Sequence, residues 1–363
     1  MYDRRCDPIE TIRFPTPGGL APDVARSSAL RRTGYVGRST LAPNEVSVAL
    51  LYCGVGSADI ALARRAPAGT PLLVGQEMIG RVQAIGPGVT RFAIGDIVGV
   101  GAMAASCGRC EHCLANLEQY CKDGAISTHD YQARRAPRDL WHPAIPGVVV
   151  TQAFLIRIPP QADLPSTAPL LGSGVAAYSA LQHWKVNAGQ RVGVIGMGGL
   201  GHLAVKLAAA RNAHVTVFTT STRKVAHARA FGADEVILWN DEAAFERLAG
   251  QFDLILSTVP HAYSVGEFMG LLKFDATLVN LGTTEDLQDT FGTGAARGRR
   301  SVATSWGAGI AQTQAVVNHC VALGVRPEIE LIRADQLPSV LEAAPRAQQH
   351  YRYVVDFAST PCH

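Results

Sequence analysis

The sequence lacks an excess of charge of one sign. Its 363 residues carry 33 Lys and Arg against 30 Asp and Glu, which leaves a formal net charge of +3. A nucleic-acid-binding protein concentrates basic residues on one face, whereas the Lys and Arg residues here are spread along the chain. We therefore expect no nucleic-acid partner. Because 47% of the residues are hydrophobic, the chain can bury a large core, which excludes disorder as its main state.

The sequence also lacks a long uninterrupted apolar run. Its most apolar stretches, 164–184 and 192–205, are broken by proline, glycine or polar residues, so no segment predicts a membrane span. The first residues mix acidic, basic and proline side chains and do not form the apolar run of a secretory signal. We expect a cytoplasmic protein that has no membrane partner.

Two patterns of residues divide the chain into parts. Strand-like runs with glycine turns fill 46–52, 78–86 and 95–102, and five short aliphatic runs alternate with helix-like segments after residue 191. The second pattern predicts a parallel sheet covered by helices on both faces. The fold class is therefore α/β, with a β-rich domain and a doubly wound domain. The predicted division is an N-terminal arm at 1–30, a β-rich domain at 31–180, a doubly wound domain at 181–310 and a C-terminal return to the β-rich domain at 311–363.

A glycine-rich loop lies between the first of these aliphatic runs and the helix-like segment after it. Gly196, Gly198 and Gly201 form the pattern G-x-G-x-x-G, with Gly199 and Leu200 inside the same loop. In this strand-to-helix context the pattern predicts that the loop binds the diphosphate of a dinucleotide at the positive end of the helix. The alternative is a glycine-rich turn with a structural role only.

The end of the next strand-like run, HVTVF, indicates which dinucleotide binds. An NAD site needs an acidic residue there for the ribose 2′-hydroxyl, but no Asp or Glu occurs between Gly201 and Asp234. Hydroxyl groups and two cations suit the 2′-phosphate of NADPH. Alternatively, the cations only begin the next helix on its solvated face. The candidate cofactor-binding residues here are Thr219, Thr220, Ser221, Arg223 and Lys224.

Four of the eight cysteines are crowded into one short loop. They have the spacing C-x2-C-x2-C-x7-C, which lets four thiolates surround one tetrahedral ion and predicts a closed, structural zinc site. An iron–sulfur cluster and a reduced cluster without metal are the alternatives. The predicted ligands are Cys107, Cys110, Cys113 and Cys121.

Taken together, these motifs resemble the zinc-containing medium-chain dehydrogenase/reductase superfamily, in particular its cinnamyl-alcohol-dehydrogenase-like, NADP-dependent aldehyde reductase branch. The matching segments include LLYCGVGSADI, VGQEMIGRVQAIGPGV, the four-cysteine loop, APLLGSGVAAYSALQHW and GVIGMGGLGHLAVKLA. The resemblance implies a GroES-like catalytic domain built from both ends of the chain and an inserted Rossmann domain. It also implies a homodimer and hydride transfer between NADPH and a small carbonyl compound.

The chain departs from this branch at the catalytic zinc. The branch holds that zinc with the first Cys of C-G-V-C-H-S-D, the His of G-H-E and the Cys of P-L-L-C-A-G, and the Glu of G-H-E can also coordinate. This chain keeps Cys53 and Glu77 but has Gln76 and Gly172 at the other two positions. Because a catalytic zinc needs three protein ligands, we expect it to be absent or weakly held. The candidates for a substitute ligand are His129, Asp130 and His142.

The resemblance also indicates which residues line the pocket that the zinc would occupy. Ser57 replaces the histidine of the first motif and is the first candidate to donate a hydrogen bond or a proton; Cys53, Gln76 and Glu77 line the same cavity. A desolvated Glu77 is expected to have a raised pKa and to act as an acid. The alternative is that these residues are scaffolding with no catalytic role.

A reductase without the zinc that polarises the carbonyl oxygen is expected to act on a substrate whose reduction depends less on that polarisation. Conjugate reduction of an enal or enone fits, because hydrogen bonds can hold the enolate, and so does reduction of an iminium. One alternative is a zinc-dependent alcohol dehydrogenase or aldehyde reductase with substituted zinc ligands. A second is a cofactor-binding protein that shapes a reactive substrate without redox turnover.

Overall fold

The computed structural model describes residues 41–56, 59–60, 75–128, 130–131, 147–282, 298–343 and 351–359. The predicted arm at 1–30 and three candidate residues, Ser57, His129 and His142, lie outside this description. Within it, the chain forms two compact units. One takes Met1–Gly172, Gly309–Val317 and Ile329–His363, counting only their described residues, and the other takes Ser173–Ala308 and Asn318–Glu328. The boundary at 172/173 precedes the expected one at 180/181, and 318–328 belong to the second unit.

The first unit is built on a seven-stranded sheet. Its strands are β1 (Glu45–Val55), β2 (Glu77–Ile85), β3 (Ile97–Val100), β6 (Gly147–Thr151), β7 (Leu155–Arg157), β14 (Glu330–Arg333) and β15 (Tyr353–Asp356), and β4 (Met103–Ala105) pairs separately with β5 (Ile126–Ser127). Along the sheet the order is β14-β15-β1-β2-β3-β7, and β6 also pairs with β1. Alternate apolar residues such as Val46, Val48 and Val82 point into the core, as the period of a strand requires.

Strands from the two ends of the chain meet in this sheet. The late strand β15 runs antiparallel to the early strand β1, with Cys53 opposite Val355, and β14 runs parallel to β15. On its other side β1 pairs with β2, with Gly54 opposite Glu77. The start of β2 and the segment before β15 therefore lie on either side of the same end of β1.

The second unit contains a six-stranded parallel sheet. Its strands are β8 (Arg191–Ile195), β9 (His214–Thr219), β10 (Glu235–Leu238), β11 (Phe252–Ser257), β12 (Leu272–Asn280) and β13 (Ser301–Thr304). The order β10-β9-β8-β11-β12-β13 is the doubly wound order of dinucleotide-binding domains. In its core Phe218 packs edge to face against Phe252 and Phe268, with ring centroids 5.7 and 5.4 Å away. The predicted α/β class, with a β-rich part and a doubly wound part, is confirmed.

Short helices connect the strands. They are α1 (Glu111–Leu114), α2 (Leu164–Thr167), α3 (Ser173–His183), α4 (Gly201–Ala209), α5 (Val225–Ala230), α6 (Glu242–Arg247), α7 (Val265–Met269), α8 (Ile310–Leu323) and α9 (Leu337–Ala343). In the described part of the chain, no helix has the length and apolar character needed to cross a bilayer.

Candidate functional site

The glycine-rich loop follows β8 directly and leads into α4. Gly196 has a φ of +88°, which lies in the left-handed region that favours glycine. A Cβ on Gly201 would lie 2.2 Å from the Gly196 carbonyl oxygen, whereas a Cβ on Gly198 would meet nothing within 4 Å. The first glycine thus allows the turn, the third allows close packing, and the second leaves open space for a ligand. These residues fit the diphosphate of a dinucleotide.

Thr258 supports this loop from the end of β11, and sequence reasoning missed it. Its Oγ1 lies 3.0 Å from the Ile195 carbonyl oxygen and 3.3 Å from that of Gly196, within hydrogen-bond distance of both. The signal that could have identified Thr258 is its position after a strand next to β8, because parallel strands end at the same edge of a sheet.

The five residues predicted to bind the 2′-phosphate lie at the end of β9 and in the turn that follows it. Thr219 is buried, and its Oγ1 accepts a hydrogen bond from the Ser221 backbone N–H at 3.2 Å. Thr220 and Arg223 are exposed. Lys224 instead turns back and donates from Nζ to the Met197 carbonyl oxygen at 2.8 Å. The structure therefore brings the candidates together but gives the two cations different surroundings.

The four cysteines of the loop converge as the spacing predicts. Their Sγ atoms all lie within 4.8 Å of one another; Cys113 Sγ is 3.9 Å from Cys107 Sγ and 3.6 Å from Cys110 Sγ. A tetrahedron of sulfur atoms around zinc has edges of about 3.8 Å. Hydrogen bonds, chiefly from the Lys122 backbone N–H, lower the pKa of Cys110 to about 6. This donor set fits a structural zinc.

The pocket implied by the lost catalytic zinc lies at the end of β1. Cys53 and Glu77 are buried, with 1% and 3% of their surface exposed. Burial raises the pKa of the Cys53 thiol well above its ordinary value, and the carboxylates of Asp59 and Glu77 raise it further. Asp59 is buried as well and accepts hydrogen bonds at 2.7 Å from the backbone N–H groups of Gly56 and Gly75.

Arg352 forms a buried ion pair with Glu77 and was not among the predicted residues. The guanidinium donates from Nη2 to Glu77 Oε1, and both side chains are less than a tenth exposed. An opposite charge in hydrogen-bond contact favours the ionised form of the carboxylate. The expectation that Glu77 acts as an acid is therefore opposed by its partner. The available signal was the segment YRYVVDF, which places an arginine just before a strand that returns to the first domain.

The Glu77 carboxylate occupies the space beside two glycines. A Cβ on Gly172 would lie 2.3 Å from Glu77 Oε1, and a Cβ on Gly54 would lie 2.3 Å from Oε2. The position where the resembled branch has its last cysteine is thus filled by a carboxylate that Arg352 holds.

The described residues do not supply a three-ligand catalytic zinc site. The four-cysteine loop is the only group of three or more His, Cys, Asp and Glu side chains in the described part of the chain that could hold a metal. Gln76 is half-buried beside Glu77. Asp130, a candidate substitute ligand, is exposed and accepts a hydrogen bond from Ser127 Oγ at 2.7 Å. Cys53 and an already paired Glu77 are one ligand short of what such a zinc requires.

Two family models match this chain. The alcohol dehydrogenase GroES-like domain matches residues 42–159, and the zinc-binding dehydrogenase model matches residues 199–322. The aldehyde reductase YahK of Escherichia coli is 40% identical over 322 residues, which cover 86% of this chain and 91% of that protein. The NADP-dependent alcohol dehydrogenase C 1 of Mycolicibacterium smegmatis is 38% identical, over 89% of this chain and 93% of that protein.

A solved structure extends the similarity to the whole fold. A cinnamyl alcohol dehydrogenase from Sorghum bicolor superposes with a TM-score of 0.80 at 30% identity and covers 90% of this chain and 94% of its own. The glycine loop, the doubly wound sheet and the GroES-like unit define a dehydrogenase of the medium-chain, alcohol dehydrogenase type. The chain belongs to the medium-chain dehydrogenase/reductase superfamily, in its cinnamyl-alcohol-dehydrogenase-like branch.

Proposed function

We propose that this chain is an NADPH-dependent reductase of the alcohol dehydrogenase type with one structural zinc and no catalytic zinc. It acts on a small molecule with an activated C=C or C=N bond, in the cytoplasm and as a homodimer. The observation that carries this proposal is the mismatch between a complete glycine loop and a pocket whose described residues lack a third zinc ligand.

The cofactor assignment rests on the two turns after β8 and β9. Open space at Gly198 suits a diphosphate, and the turn after β9 offers hydroxyl groups and a cation without a carboxylate. The names of relatives such as the NADP-dependent alcohol dehydrogenase C 1 agree with this assignment. NADPH, when bound, supplies the hydride.

The pocket residues have to bind and polarise the substrate. Glu77 Oε1 accepts a hydrogen bond from Arg352, and an opposite charge favours the ionised carboxylate, so we do not assign Glu77 as the proton donor. The hydroxyl of Ser57 and the amide of Gln76 are the groups that we assign as hydrogen-bond donors to the developing negative charge. Such donors suffice for an enolate, whose charge is delocalised. An iminium is already cationic, so its carbon accepts a hydride without a group that polarises the double bond.

A zinc-dependent aldehyde reductase is the second candidate. The names of the relatives favour it, since one at 40% identity is an aldehyde reductase. This candidate requires a further zinc ligand beside Cys53 from residues outside the described ranges, such as His129 or His142.

Deuterium transfer distinguishes these candidates. We would incubate the purified protein with NADPH deuterated at C4, in both stereochemical forms, and with enals, enones, cyclic iminium compounds and simple aldehydes. We expect deuterium at the β-carbon of the reduced enal or enone, or at the former iminium carbon. Deuterium only in alcohols formed from simple aldehydes would favour the zinc-dependent candidate. Absence of deuterium from every product would contradict both.

A serine variant tests the assigned donor. Ser57→Ala removes the hydroxyl and is expected to lower kcat about 10-fold or more, because one donor to a developing oxyanion contributes a few kcal/mol. Ser47→Ala, on β1 at the end far from Cys53, is the matched control. An unchanged kcat for Ser57→Ala would remove that hydroxyl from the mechanism.

A further inference from the structure

The second half of the cysteine loop touches the start of α8. The Ile310 backbone N–H donates to Glu118 Oε2 at 3.1 Å, across 192 positions of sequence. Gly309, the residue before the helix, is buried, and a Cβ there would lie 2.1 Å from the Asn116 carbonyl oxygen. A side chain at this position would therefore push the loop and the helix apart. The two segments are in contact through a carboxylate and through their backbones.

This contact lies between two of the predicted zinc ligands, Cys113 and Cys121. The Asn116 N–H donates to the Cys113 carbonyl oxygen at 3.1 Å. The Cys121 N–H donates to the Glu118 carbonyl oxygen at 3.0 Å. Backbone hydrogen bonds thus connect segment 116–118 to a ligand on each side. A metal that holds both sulfur atoms would also hold the Glu118 carboxylate in place.

The start of α8 gains an acceptor from this arrangement. The first N–H groups of a helix have no acceptor within the helix, and a negative charge is favourable at that end. The Thr313 N–H and Oγ1 both donate to the Gly309 carbonyl oxygen, at 3.0 and 2.9 Å, whereas the Ile310 N–H donates to Glu118. The carboxylate therefore stabilises the first turn of a 14-residue helix.

We propose that Glu118 is a positioning residue through which zinc in the cysteine loop fixes the first turn of α8. This inference rests on the proposed structural zinc and gives that metal a role outside its own loop. When Cys113 and Cys121 bind one ion, segment 116–118 keeps its place against Gly309. Without the ion, the sulfur atoms are no longer held together and the carboxylate can leave the helix. Because coupling between two sites is reciprocal, the contact with α8 also raises the affinity of the loop for zinc.

Hydrogen exchange on the full-length protein tests the link to the helix. Exchange of the α8 amides would be followed by mass spectrometry in zinc-loaded wild type, Glu118→Ala, Glu118→Gln and Cys113→Ser, with zinc content measured for each sample. Glu111→Ala is the matched control, since Glu111 is an exposed glutamate of the same loop that pairs with Lys122 at 3.0 Å. Peptides from 318–323, which belong to the second unit, are the internal reference.

We expect the amides of 310–313 to exchange about 10-fold faster or more in Glu118→Ala, because a hydrogen bond to a charged acceptor accounts for at least one tenfold step. Glu118→Gln keeps an acceptor without the charge, so a smaller increase is expected. Cys113→Ser is expected to lose zinc and to show the same increase as Glu118→Ala. In Glu111→Ala, and in the reference peptides of every variant, exchange should match wild type.

Gly309→Ala tests the coupling from the side of the helix. The added methyl group would collide with the Asn116 carbonyl, although no residue of the cysteine loop is changed. We expect the Kd for zinc, measured by equilibrium competition with a chromogenic chelator, to rise about 10-fold in Gly309→Ala and in Glu118→Ala, a typical size for coupling between two sites. The Kd of Glu111→Ala should equal that of wild type.

Two results would overturn the inference. If zinc-free Cys113→Ser protected 310–313 as well as wild type does, the metal would have no hold on the helix. If Gly309→Ala and Glu118→Ala bound zinc as tightly as wild type, the contact would not be coupled to the metal, and this second result decides the matter if circular dichroism shows that Cys113→Ser does not fold. Wild type without zinc would instead contradict the proposed structural zinc, while exchange in Glu118→Ala would still test the contact itself.

Discussion

The least expected residue in the structure is Arg352, which neutralises a buried carboxylate beside Cys53. The pair with Glu77 is enclosed, with side-chain exposures of 8% and 4%. Buried ion pairs contribute little net stability compared with apolar residues of the same volume, but removing one partner leaves a buried charge uncompensated. The pair therefore affects the free energy of unfolding mainly when only one of its two residues is replaced.

Breaking this pair is expected to destabilise the first unit strongly. Arg352→Met should lower the free energy of unfolding by about 3–5 kcal/mol, because the buried Glu77 carboxylate would lose its cation. Urea unfolding followed by tryptophan fluorescence and circular dichroism measures the change.

The double variant Glu77→Gln, Arg352→Met is the control for this prediction. It removes both charges and is expected to be more stable than the single variant. A single variant within about 1 kcal/mol of wild type, a change typical of exposed pairs, would contradict a buried pair.

The buried thiols of Cys53 and Cys320, which lie outside the cysteine loop, are expected to be unreactive. Burial raises the pKa of Cys320 to about 12 and that of Cys53 well above its ordinary value. Both thiols therefore stay neutral at pH 8. A neutral thiol is not alkylated, because only the thiolate reacts. We expect peptide mapping after iodoacetamide treatment to find neither residue labelled in the folded protein and both labelled in urea. Labelling of Cys53 in the folded protein at the rate of a free cysteine would be incompatible with its burial.

At the scale of elements, helix α4 holds a segment far along the chain. His202 is fully buried, and the Glu328 backbone N–H donates to its Nε2 at 3.0 Å. Because Nε2 must accept that bond, the ring proton is on Nδ1, which donates to the Gly198 carbonyl oxygen at 3.1 Å. One turn later, Lys206 Nζ donates to the Arg326 carbonyl oxygen and to Glu328 Oε1, both at 2.7 Å. The helix thus connects the glycine loop with residues 326–328.

Loss of this imidazole is expected to weaken the second unit. His202→Ala should lower its free energy of unfolding by about 1–3 kcal/mol, because truncation of the fully buried imidazole leaves a cavity and removes the acceptor of the Glu328 N–H. His202→Gln supplies an oxygen near the position of Nε2 and is expected to lose less. Urea unfolding measures both variants. Equal losses for the two would show that this acceptor does not determine the stability.

At the scale of the whole molecule, sequence patterns predicted the features that residues close together in sequence form. The alternation of aliphatic runs and helix-like segments after residue 191 predicted a doubly wound sheet, and the spacing of four cysteines predicted the convergence of their sulfur atoms. Each aliphatic run and the cysteine loop is a short stretch whose backbone geometry follows largely from its own residues.

The contacts that were missed join distant positions. Glu77 and Arg352 are 275 residues apart in sequence and meet only because β15 and β2 both pair with β1. The bond from Lys224 to Met197 also depends on the alignment of two parallel strands and not on the local sequence. The composition of a turn predicted which residues gather there, but not which side chain turns inward.

The central claim is that the chain holds one zinc, in the cysteine loop, and none beside Cys53. Elemental analysis of zinc per chain, for wild type and for Cys113→Ser purified with zinc in the medium, tests it most directly. We predict one zinc in wild type and none in the variant, because the loop is the only complete donor set in the described part of the chain. Two zinc ions in wild type and one in the variant would contradict the claim.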